Sequence, residues 1–582
     1  MFRHNRKHQQ PSLMSDVSTM TKVQREHLKE SWADTFREHC FKQIDENIFA
    51  VLYSDVPSRP NVPVNVLVGL EILKSGLGWS DEELYDSFLF DMQVRYAVGY
   101  ESLNDGTFAI RSLYHFRRRL SRYHQEQGVN LLEKAFEAIT DEQVKRLNVR
   151  TKTLRMDSTQ IASDIRESSR LHLLVEGLNR LYRILDEDEQ AAYASLCEAY
   201  IQAEAKHYVY GVKGPGAVDE ALKDIGVTLA QMLAELKERH GSHPVYQTVQ
   251  RLFDDNYRIE ADEVESKANS EIGSGALQSL DDLEATYRHK AGNSYQGYVA
   301  NLSESCDAEN DVQLITNVQV APNNVEDAAL LAEALPNLVE RTELDTLYTD
   351  GGYGSEAVDR LTNEHQVEQI QTGIRGRVPD PNKLKLADFD IKQDAEGRPT
   401  CITCPLGQRV EVEAARKSGF VARFDPDICA TCPLHRTDRC RVKPQKRNRR
   451  FVLRFTQKQV FVAQRRRRHA EFRSTPGNPR ASIEATMRSI KHPFRQGKLP
   501  VRGLFRVTCM MIASAAMCNV RRIQRYLTDN GPWRPVFWPV SVHGSLSAPF
   551  AKQFSAASGV IGSVRRLFWR PLCRRQNTCF SC

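Results

Sequence analysis

The spacing of apolar residues predicts a helical first quarter of the chain, followed by a region of mixed helices and strands. Across residues 21–147, apolar side chains recur every three or four positions, which is the period of an amphipathic helix. Short apolar runs bounded by turn residues then predict five strands, at 151–156, 297–302, 312–320, 344–348 and 367–373. Helical spacing fills 165–285, 325–338 and 356–364.

The order of the later elements is strand, strand, strand, helix, strand, helix, strand, so a meander precedes strands that cross over through helices. This is the order of an RNase H-like core, and the predicted fold class is α/β. In such a core the ends of the first and fourth strands lie side by side. The predicted organisation is a disordered N-terminus (1–20), a helical N-terminal domain (21–147), the RNase H-like core (148–164 and 286–527), a helical insertion (165–285), a cysteine-cluster insertion (398–442) and an irregular C-terminal tail (528–582).

Capping signals place helix ends within the N-terminal domain. A helix over 64–75 is predicted to close at Gly76. Ser80 and Glu83 have the spacing of a capping box that opens the next helix. Thr107 is predicted to cap a third helix. These signals favour a helical bundle in this part of the chain.

Charge is unevenly distributed, and this indicates a polyanionic partner. The 582 residues are 41% apolar and 26% charged, with a net charge of +6, which is typical of a globular protein. The stretch 441–473 is rich in lysine and arginine and contains one acid, Glu471. Its densest part, Arg465, Arg466, Arg467 and Arg468, is predicted to contact DNA phosphates. Arginines at 111 and 117–119 suit a solvated surface and a DNA contact equally well.

Composition also predicts where the protein works. The sequence contains no run of about 18 apolar residues, so no transmembrane helix is predicted. The polar N-terminus is not followed by the apolar segment of a secretory signal. The 13 cysteines, an odd number, do not form the pattern of a disulfide framework. We therefore expect a cytoplasmic protein with no membrane partner.

Two Cys-x-x-Cys pairs predict one metal site. Cys401 with Cys404 and Cys429 with Cys432 are separated by 24 residues, and Cys440 and His435 are spare candidates for one position. Four thiolates at this spacing suit tetrahedral zinc, and because four cysteines leave no open position, such zinc would be structural. The alternative is a reduced surface loop that carries cysteines without metal.

Two aspartates follow predicted strands directly. Asp157 comes after the run 151–156, and Asp350 comes after the run 344–348 and before two glycines. A carboxylate at a strand end can point into a cleft at the edge of a sheet. For Asp350 alone, an ordinary Asp-Gly turn is the simpler interpretation.

A third acid, Glu484, lies on a predicted helix that begins after Asn478. Arg480, Arg488 and Lys491 share its face of that helix. Taken alone, this face is an exposed ladder of charges. Together with the two aspartates, Glu484 completes the set of carboxylates that two Mg²⁺ or Mn²⁺ ions need to clamp the attacking and leaving oxygens of a phosphoryl transfer. The three cationic neighbours would then hold DNA phosphates.

At this point the chain resembles bacterial insertion-sequence transposases of the DDE type, over about 60–527. Met-Asp-Ser-Thr at 156–159 matches the first aspartate motif of that family, and Thr-Asp-Gly-Gly-Tyr at 349–353 matches the second. The resemblance implies that Asp157 and Asp350 are metal ligands. The cysteine cluster also resembles an insertion found in a subset of these transposases.

The third motif of the family, Tyr-x2-Arg-x3-Glu-x6-Lys, is matched at Arg480, Glu484 and Lys491, so Glu484 inherits the role of third ligand. This chain departs from the motif at the tyrosine position, where it has Gly477. Glu471 is the alternative third acid.

The resemblance implies metal-dependent DNA cleavage followed by strand transfer of an insertion sequence. The implied partners are the element ends, the target DNA and a second copy of the chain, in the nucleoid of a bacterial cytoplasm. Two alternatives remain open: a zinc-stabilised DNA-binding protein without catalysis, and an RNase H-like nuclease that does not join strands.

Overall fold

The chain was analysed as a computed structural model that describes residues 1–530, with short gaps at 10–13, 55, 57–59, 167, 202–203, 262, 291, 377–379, 395, 416–417, 446–449 and 475–476. It divides into two units, Met1–Leu527 and Thr528–Cys582. The first unit contains every predicted site residue. The predicted irregular tail lies outside the described residues from 531 onward.

Helices packed around one apolar core begin the first unit. In the described part of the chain, the helices before the first strand are α1 (Asp16–Thr19), α2 (Lys22–Lys29), α3 (Trp32–His39), α4 (Val64–Leu77), α5 (Asp81–Phe90), α6 (Met92–Ala97), α7 (Arg111–Gln127) and α8 (Leu131–Arg146). Phe36, Leu70, Phe88 and Phe116 are almost completely buried between them. These helices occupy the range predicted as helical.

Backbone chemistry at the helix ends confirms one capping prediction and corrects two. The capping box at Ser80 forms as predicted. Helix α4 does not close at Gly76 but at Gly78, whose φ of 72° gives the left-handed cap that a residue with a side chain rarely adopts. Thr107 does not cap α7, because the helix begins only at Arg111.

After the first strand, β1 (Thr153–Ile161), the chain forms a helical region with an apolar core of its own. Its elements are α9 (Arg170–Arg183), α10 (Glu187–Ile201), α11 (Ala205–Gly211), α12 (Ala217–His240), α13 (Pro244–Asn256) and a hairpin of β2 (Tyr257–Glu260) and β3 (Glu263–Ser266). Leu174, Leu178 and Leu181 of α9 are completely buried in that core. These elements occupy the range predicted as a helical insertion.

The chain then returns to build the central sheet. The elements are β4 (Thr286–Lys290), β5 (Asn293–Ser305), β6 (Ile315–Pro322), α14 (Asp327–Arg341), β7 (Thr346–Thr349), α15 (Glu356–Glu364) and β8 (Glu368–Gln371). The strand order is β6-β5-β1-β7-β8, and β4 pairs with the start of β5. β5 is antiparallel to β1 and β6, whereas β7 is parallel to both β1 and β8.

A second, antiparallel sheet follows. Its elements are β9 (Asp390–Gln393), β10 (Pro399–Thr403), β11 (Arg409–Ala414), β12 (Phe420–Phe424), α16 (Pro426–Thr431), α17 (Pro433–Arg436), β13 (Lys443–Pro444) and β14 (Phe451–Phe455). The strand order is β13-β14-β12-β11-β10-β9. Phe389, Ile402, Phe424 and Leu453 form its own apolar core. This region is therefore a small folded body inserted after β8, with the clustered cysteines in and around its strands.

Three helices end the described chain: α18 (Gln457–Ser474), α19 (Ile483–Lys491) and α20 (Leu504–Asn530). Together they complete a layered arrangement around the central sheet. On one face, α14 and α15 pack against Leu154 and Met156 of β1 and Leu347 of β7. On the other face, Leu302 of β5 packs with α19, α20 and the N-terminal helices.

Within the described residues, α20 alone has the length and apolar composition of a helix that could cross a membrane. Of its most apolar window, 67% is buried inside the protein. The amide of Asn519 also bonds to both the backbone N–H and the C=O of Ile315, at 2.8 and 2.9 Å. These contacts are those of a core helix that anchors the central sheet.

Candidate active site

Strand β1 is longer than predicted, and this changes the setting of Asp157. The prediction ended the strand at 156, but it continues to Ile161, so Asp157 lies within it. The parallel neighbour β7 pairs with β1 only from Thr153 to Arg155. Beyond Arg155, β1 has lost its partner on that side, and Asp157 faces the space above the end of β7.

The strand register places the two predicted aspartates opposite each other. Arg155 of β1 is paired with Tyr348 of β7, so two residues further along, Asp157 stands across from Asp350. Neighbouring strands are about 4.8 Å apart, and residues two apart share a face of the sheet. The charge of Asp350 accordingly contributes to the raised pKa of Asp157.

A tight turn fixes Asp350. Its Oδ1 accepts a hydrogen bond of 2.6 Å from the backbone N–H of Gly352, which caps the turn Gly351–Tyr353. A Cβ atom at Gly351 would lie 2.7 Å from the carbonyl oxygen of Gly373. Because no real side chain tolerates that approach, the first glycine after Asp350 is required by the backbone packing.

Asp157 is nearly buried and is paired with a cation. It is 8% exposed, Ser158 N–H donates to its Oδ1 at 2.9 Å, and Arg480 Nη2 donates to its Oδ2 at 2.7 Å. Burial raises the pKa of Asp157, and the ion pair with Arg480 opposes that rise. Asp157 is thus a carboxylate kept partly desolvated next to an exchangeable positive charge.

The segment carrying the third predicted acid lies against this end of β1. Arg480 belongs to a short 3₁₀ turn, Pro479–Ser482, that leads into α19. At the far end of α19, Lys491 Nζ donates a 2.7 Å hydrogen bond to Thr159 Oγ1. Burial lowers the pKa of Lys491. Two predicted cations therefore hold α19 along the strand that contains Asp157.

Glu484 lies between those two cations, on the first turn of α19. Its side chain is exposed, and within the described residues it has no hydrogen bond or ion pair. Arg488, one turn further on, is exposed as well. The structure brings the helix of Glu484 to the two aspartates, but does not close its carboxylate onto them. Glu471, the alternative third acid, lies on α18.

Most of the arginine cluster predicted to contact DNA has carboxylate partners in the folded chain. The ion pairs are Arg465 with Asp359 (3.2 Å), Arg467 with Asp390 (3.3 Å) and Arg468 with Glu368 (3.7 Å). Burial raises the pKa of Asp359 to about 6, while Arg465 and Arg468 lower it. These arginines therefore fasten α18 to α15, β8 and the second sheet, and only part of their charge remains for a ligand.

In and around the second sheet, the cysteines of the predicted cluster differ in their contacts. Gln408 links two of them: its backbone N–H donates to Cys404 Sγ at 3.3 Å, and Cys429 Sγ donates to its Oε1 at 3.6 Å. Burial and the neighbouring thiols of Cys440, Cys432 and Cys404 raise the pKa of Cys429 to about 11.

Cys440, a spare candidate, has an environment different from that of Cys401. Burial raises the pKa of Cys440, and the neighbouring thiols of Cys432 and Cys404 raise it further. The backbone N–H of Val442 lowers it. Cys401 instead is buried within β10, where its Sγ accepts a 2.9 Å hydrogen bond from Arg409 Nε. Cys401 lies within β10, whereas Cys404 lies in the turn that follows the strand. Because side chains alternate along a strand and the turn then changes direction, the two thiols of this Cys-x-x-Cys pair face different surroundings.

Sequence reasoning missed one acid at this site, Asp327, the first residue of α14. It is 1% exposed, and its Oδ1 accepts a 2.7 Å hydrogen bond from Ser158 Oγ, next to Asp157. An acid in the first turn of a helix is ordinary, because it complements the helix dipole, so the sequence carried no distinguishing signal. Among the described residues, no three acidic, histidine or cysteine side chains are already arranged around a metal position.

Comparison with known proteins gives one match. A family model described as a transposase DDE domain matches residues 403–524. That stretch contains Glu484, most of the cysteine cluster and α18–α20, whereas Asp157 and Asp350 lie outside it. No curated protein and no solved structure matches the chain. The match supports the resemblance to DDE transposases, independently of the geometry of the central sheet.

Proposed function

We propose that this protein is a DDE transposase that cleaves DNA at the ends of an insertion sequence and transfers the freed strand to target DNA. The observation that carries the proposal is the placement of Asp157 and Asp350 at corresponding positions two residues beyond the last paired residues of β1 and β7, with Arg480, just before α19, bonded to Asp157. The transposase DDE match to residues 403–524 supports it from a separate part of the chain.

The topology supports an RNase H-like core as the scaffold. Three antiparallel strands are followed by two parallel ones, in the order β6-β5-β1-β7-β8. In sheets with parallel strands, ligands bind outside the carboxyl ends of those strands, and both aspartates lie at that edge. The proposal thus needs no rearrangement of the sheet.

The side chains at this edge fit Mg²⁺ or Mn²⁺, which prefer carboxylate oxygens. Asp157 and Asp350 would hold the ions, and Glu484 would join them by rotating its exposed side chain inward from α19. Two such ions, when bound, supply charge neutralisation of the phosphate under attack and activation of the attacking water or hydroxyl. The protein itself fixes the carboxylates and excludes water from the Asp157 side.

Cations on α19 are suited to binding the DNA backbone beside these acids. Arg488 is exposed, whereas Arg480 and Lys491 are held against β1 by single polar contacts that a phosphate can replace. Arg465, Arg467 and Arg468 have carboxylate partners, whereas Arg466 has none among the described residues. The charge of Arg466 is therefore available to a ligand. Two chains, one for each element end, in a bacterial cytoplasm complete the proposal.

Strand transfer tests the function. Purified protein is incubated with Mg²⁺ or Mn²⁺ and DNA from the borders of its own gene, and cleaved and joined products are separated on gels. We expect both products from the wild type and neither from Asp350→Asn, with DNA binding retained. Asp345→Asn, at the opposite and exposed end of the same strand region, is the matched control and should remain active.

The products also separate the two alternatives. Cleavage without joining would favour an RNase H-like nuclease. DNA binding with neither product would favour a protein that has kept only its DNA-binding role. Unchanged strand transfer by Asp350→Asn would refute the assigned site.

We further propose a structural zinc ion held by Cys404, Cys429, Cys432 and Cys440. The proximity of the four thiols and the backbone N–H groups directed at two of them support a thiolate site, since such groups stabilise negatively charged sulfur. The site joins β10, α16 and the segment before β13. Zinc there would hold the second sheet together from within.

Metal analysis of two cysteine variants tests this assignment. Wild-type protein should contain about one zinc per chain. Cys440→Ser should lose most of it, while Cys401→Ser should retain it, because Cys401 contacts Arg409 instead. Zinc loss on Cys401→Ser with retention on Cys440→Ser would restore the set that the sequence alone favoured.

A further inference from the structure

A third aspartate lies at the edge of the sheet that holds Asp157 and Asp350. Asp327 begins α14 on the opposite face from α19, and it is 1% exposed. Its Oδ1 is bound to Ser158, the residue after Asp157. The carboxyl ends of β1 and β7 thus receive one acid from each strand and one from a crossing helix.

The second oxygen of Asp327 and the Oδ1 of Asp350 both lie next to Gly352. A Cβ atom built on that glycine would lie 2.7 Å from Asp327 Oδ2, 2.8 Å from Asp350 Oδ1 and 2.8 Å from Arg375 Nη2. The two carboxylates and the guanidinium of Arg375 therefore approach the same glycine, and a side chain at 352 would displace at least one of them.

Asp327 Oδ2 is also buried without a hydrogen bond among the described residues. The nearest cation is Arg375, whose Nη2 is 3.6 Å away on a side chain that is 57% exposed. A buried carboxylate oxygen without a hydrogen bond is costly. A cation between Asp327 and Asp350 would remove that cost.

The surroundings of the Tyr353 hydroxyl also place the three carboxylates near one another. Tyr353 is completely buried, and its Oη donates a 2.7 Å hydrogen bond to Asn301 Oδ1. Burial raises the pKa of Tyr353 well above its usual value, and the charges of Asp327, Asp157 and Asp350 raise it further. Three carboxylates thus act on one side chain beneath the edge of the sheet.

We propose that Asp327 is a metal-ligating residue whose Oδ2, displacing the exposed guanidinium of Arg375, shares a divalent cation with Asp350 and Asp157. This inference rests on the proposed function, because it adds a ligand to the same site. It also gives the site three buried or half-buried acids before α19 contributes one. Glu484, which is exposed, then acts from the DNA side of the site.

Mn²⁺ binding to the full-length protein without DNA tests the inference, with free Mn²⁺ measured by electron paramagnetic resonance. We expect Asp327→Asn to weaken Mn²⁺ binding about tenfold or more, as Asp350→Asn should. Loss of a residue that only supports a ligand typically costs about 10–100-fold in metal affinity, and loss of a ligand itself should cost at least as much. The matched control is Glu326→Gln, which changes the exposed neighbouring acid and should bind Mn²⁺ as the wild type does. Ser158→Ala, which removes only the hydrogen bond to Oδ1, should lose less than threefold, an order-of-magnitude expectation for one such bond.

Equal Mn²⁺ affinity in the wild type and Asp327→Asn would overturn the inference while leaving the proposed function intact. No Mn²⁺ binding by the wild type would overturn both. Loss of binding in Asp327→Asn together with cleavage but no joining by the wild type would support the ligand and refute strand transfer.

A second measurement needs no variant and so does not depend on the folding of Asp327→Asn. Fe²⁺ bound in place of Mn²⁺, with ascorbate and peroxide, generates radicals that cut the backbone next to its ligands. We expect cuts at 325–330 as well as beside Asp157 and Asp350, mapped by mass spectrometry. Cuts beside those two aspartates with an intact backbone at 325–330 would overturn the inference.

Discussion

At the scale of single residues, the ion pair between Arg480 and Asp157 controls how the site meets a cation. Asp157 is almost buried, and burial alone would favour its protonated form. The ion pair with Arg480, 2.7 Å away, opposes that effect of burial on the pKa. On the proposed function, a bound cation or a DNA phosphate would displace or share this guanidinium, which would couple the binding of the two ligands.

Replacing Arg480 by glutamine should make Mn²⁺ binding more sensitive to acid. Without the guanidinium, the pKa of Asp157 rises further, so protons compete with metal at a higher pH. We expect the variant to lose roughly tenfold more affinity than the wild type between pH 8 and pH 5.5. Mn²⁺ titrations across that range measure the effect.

Arg488→Gln is the matched control, because Arg488 is exposed on the same helix. Its pH profile should follow that of the wild type. Parallel profiles for Arg480→Gln and the wild type would show that the ion pair does not set the ionisation of Asp157.

Individual acids also mark how far the sequence could be taken. Asp157 and Asp350 were identifiable because each follows an apolar run and the two runs occupy corresponding places in the strand order. Asp327 was not, since its contact with Ser158, the neighbour of Asp157, depends on the meeting of α14 with β1, and the two bonded residues are 169 positions apart along the chain. The contact of Cys401 with Arg409 likewise depends on the pairing of β10 with β11, which the sequence pattern does not reveal.

At the scale of elements, the prediction succeeded at α15, where a local cap decides, and failed at the end of β1, where a neighbouring strand decides. Helix α15 has the predicted bounds, Glu356–Glu364, with Ser355 as its side-chain cap. The end of β1 was predicted too early because its antiparallel partner β5, distant in sequence, supports the strand to Ile161. Local pattern cannot reveal such support.

A buried polar network fixes α19 and α20 against the sheet. Glu304 of β5 is completely buried and accepts hydrogen bonds from Arg155 (2.6 Å) and Thr486 (2.8 Å). Arg522 of α20 forms a 2.7 Å ion pair with the same carboxylate. Because both oxygens of Glu304 are engaged, α19 is held in place, and Glu484 can reach the aspartates only by rotation of its own side chain.

The contact between α8 and α14 contains an acid with an unusual pKa, and it gives a prediction for stability against pH. Burial raises the pKa of Glu133 to about 7, and the charges of Glu137 and Glu333 raise it further, while Arg341 lowers it. The folded state thus holds the proton more tightly than the unfolded state does. Stability should fall as pH rises from about 4.5 to about 7.

Glu133→Gln removes this ionisation and should be more stable than the wild type above pH 7, by about 1–3 kcal/mol, with little difference near pH 4. Urea unfolding at a series of pH values measures it. Glu142→Gln, at an exposed i,i+4 pair on the same helix, should change stability by less than about 0.5 kcal/mol throughout. A constant difference between Glu133→Gln and the wild type at all pH values would contradict the assignment.

At the scale of the whole first unit, α20 connects the N-terminal helices to the central sheet. Asn519 binds Ile315 of β6, and Arg521 Nη2 donates a 2.5 Å hydrogen bond to the carbonyl of Gly76 in α4. Contacts from one helix to both parts explain why Met1–Leu527 forms one unit although the sequence predicts several domains. Composition and periodicity predict the separate parts. Their packing into one unit depends on contacts between residues that are more than 400 positions apart along the chain.

Gly76 is the closest point of that connection, and its substitution should test it. A glycine in a helix interior usually costs stability, so alanine there would normally help by about 0.5–1 kcal/mol. Here a Cβ atom would overlap Cβ and Cγ of Met517 on α20. We therefore expect Gly76→Ala to destabilise the protein by about 1–3 kcal/mol in urea unfolding, the usual cost of overpacking.

Two comparisons make this effect specific to the junction of α4 and α20. In a Met517→Gly background, which removes both overlapping atoms, Gly76→Ala should lose most of its cost, giving a coupling energy of about 1–3 kcal/mol in the double-mutant cycle. Gly106→Ala, where a Cβ meets nothing within 4 Å, should be neutral or mildly favourable. If Gly76→Ala costs the same in both backgrounds, α20 does not bear on α4 there, and the two parts of the unit should unfold in separate transitions.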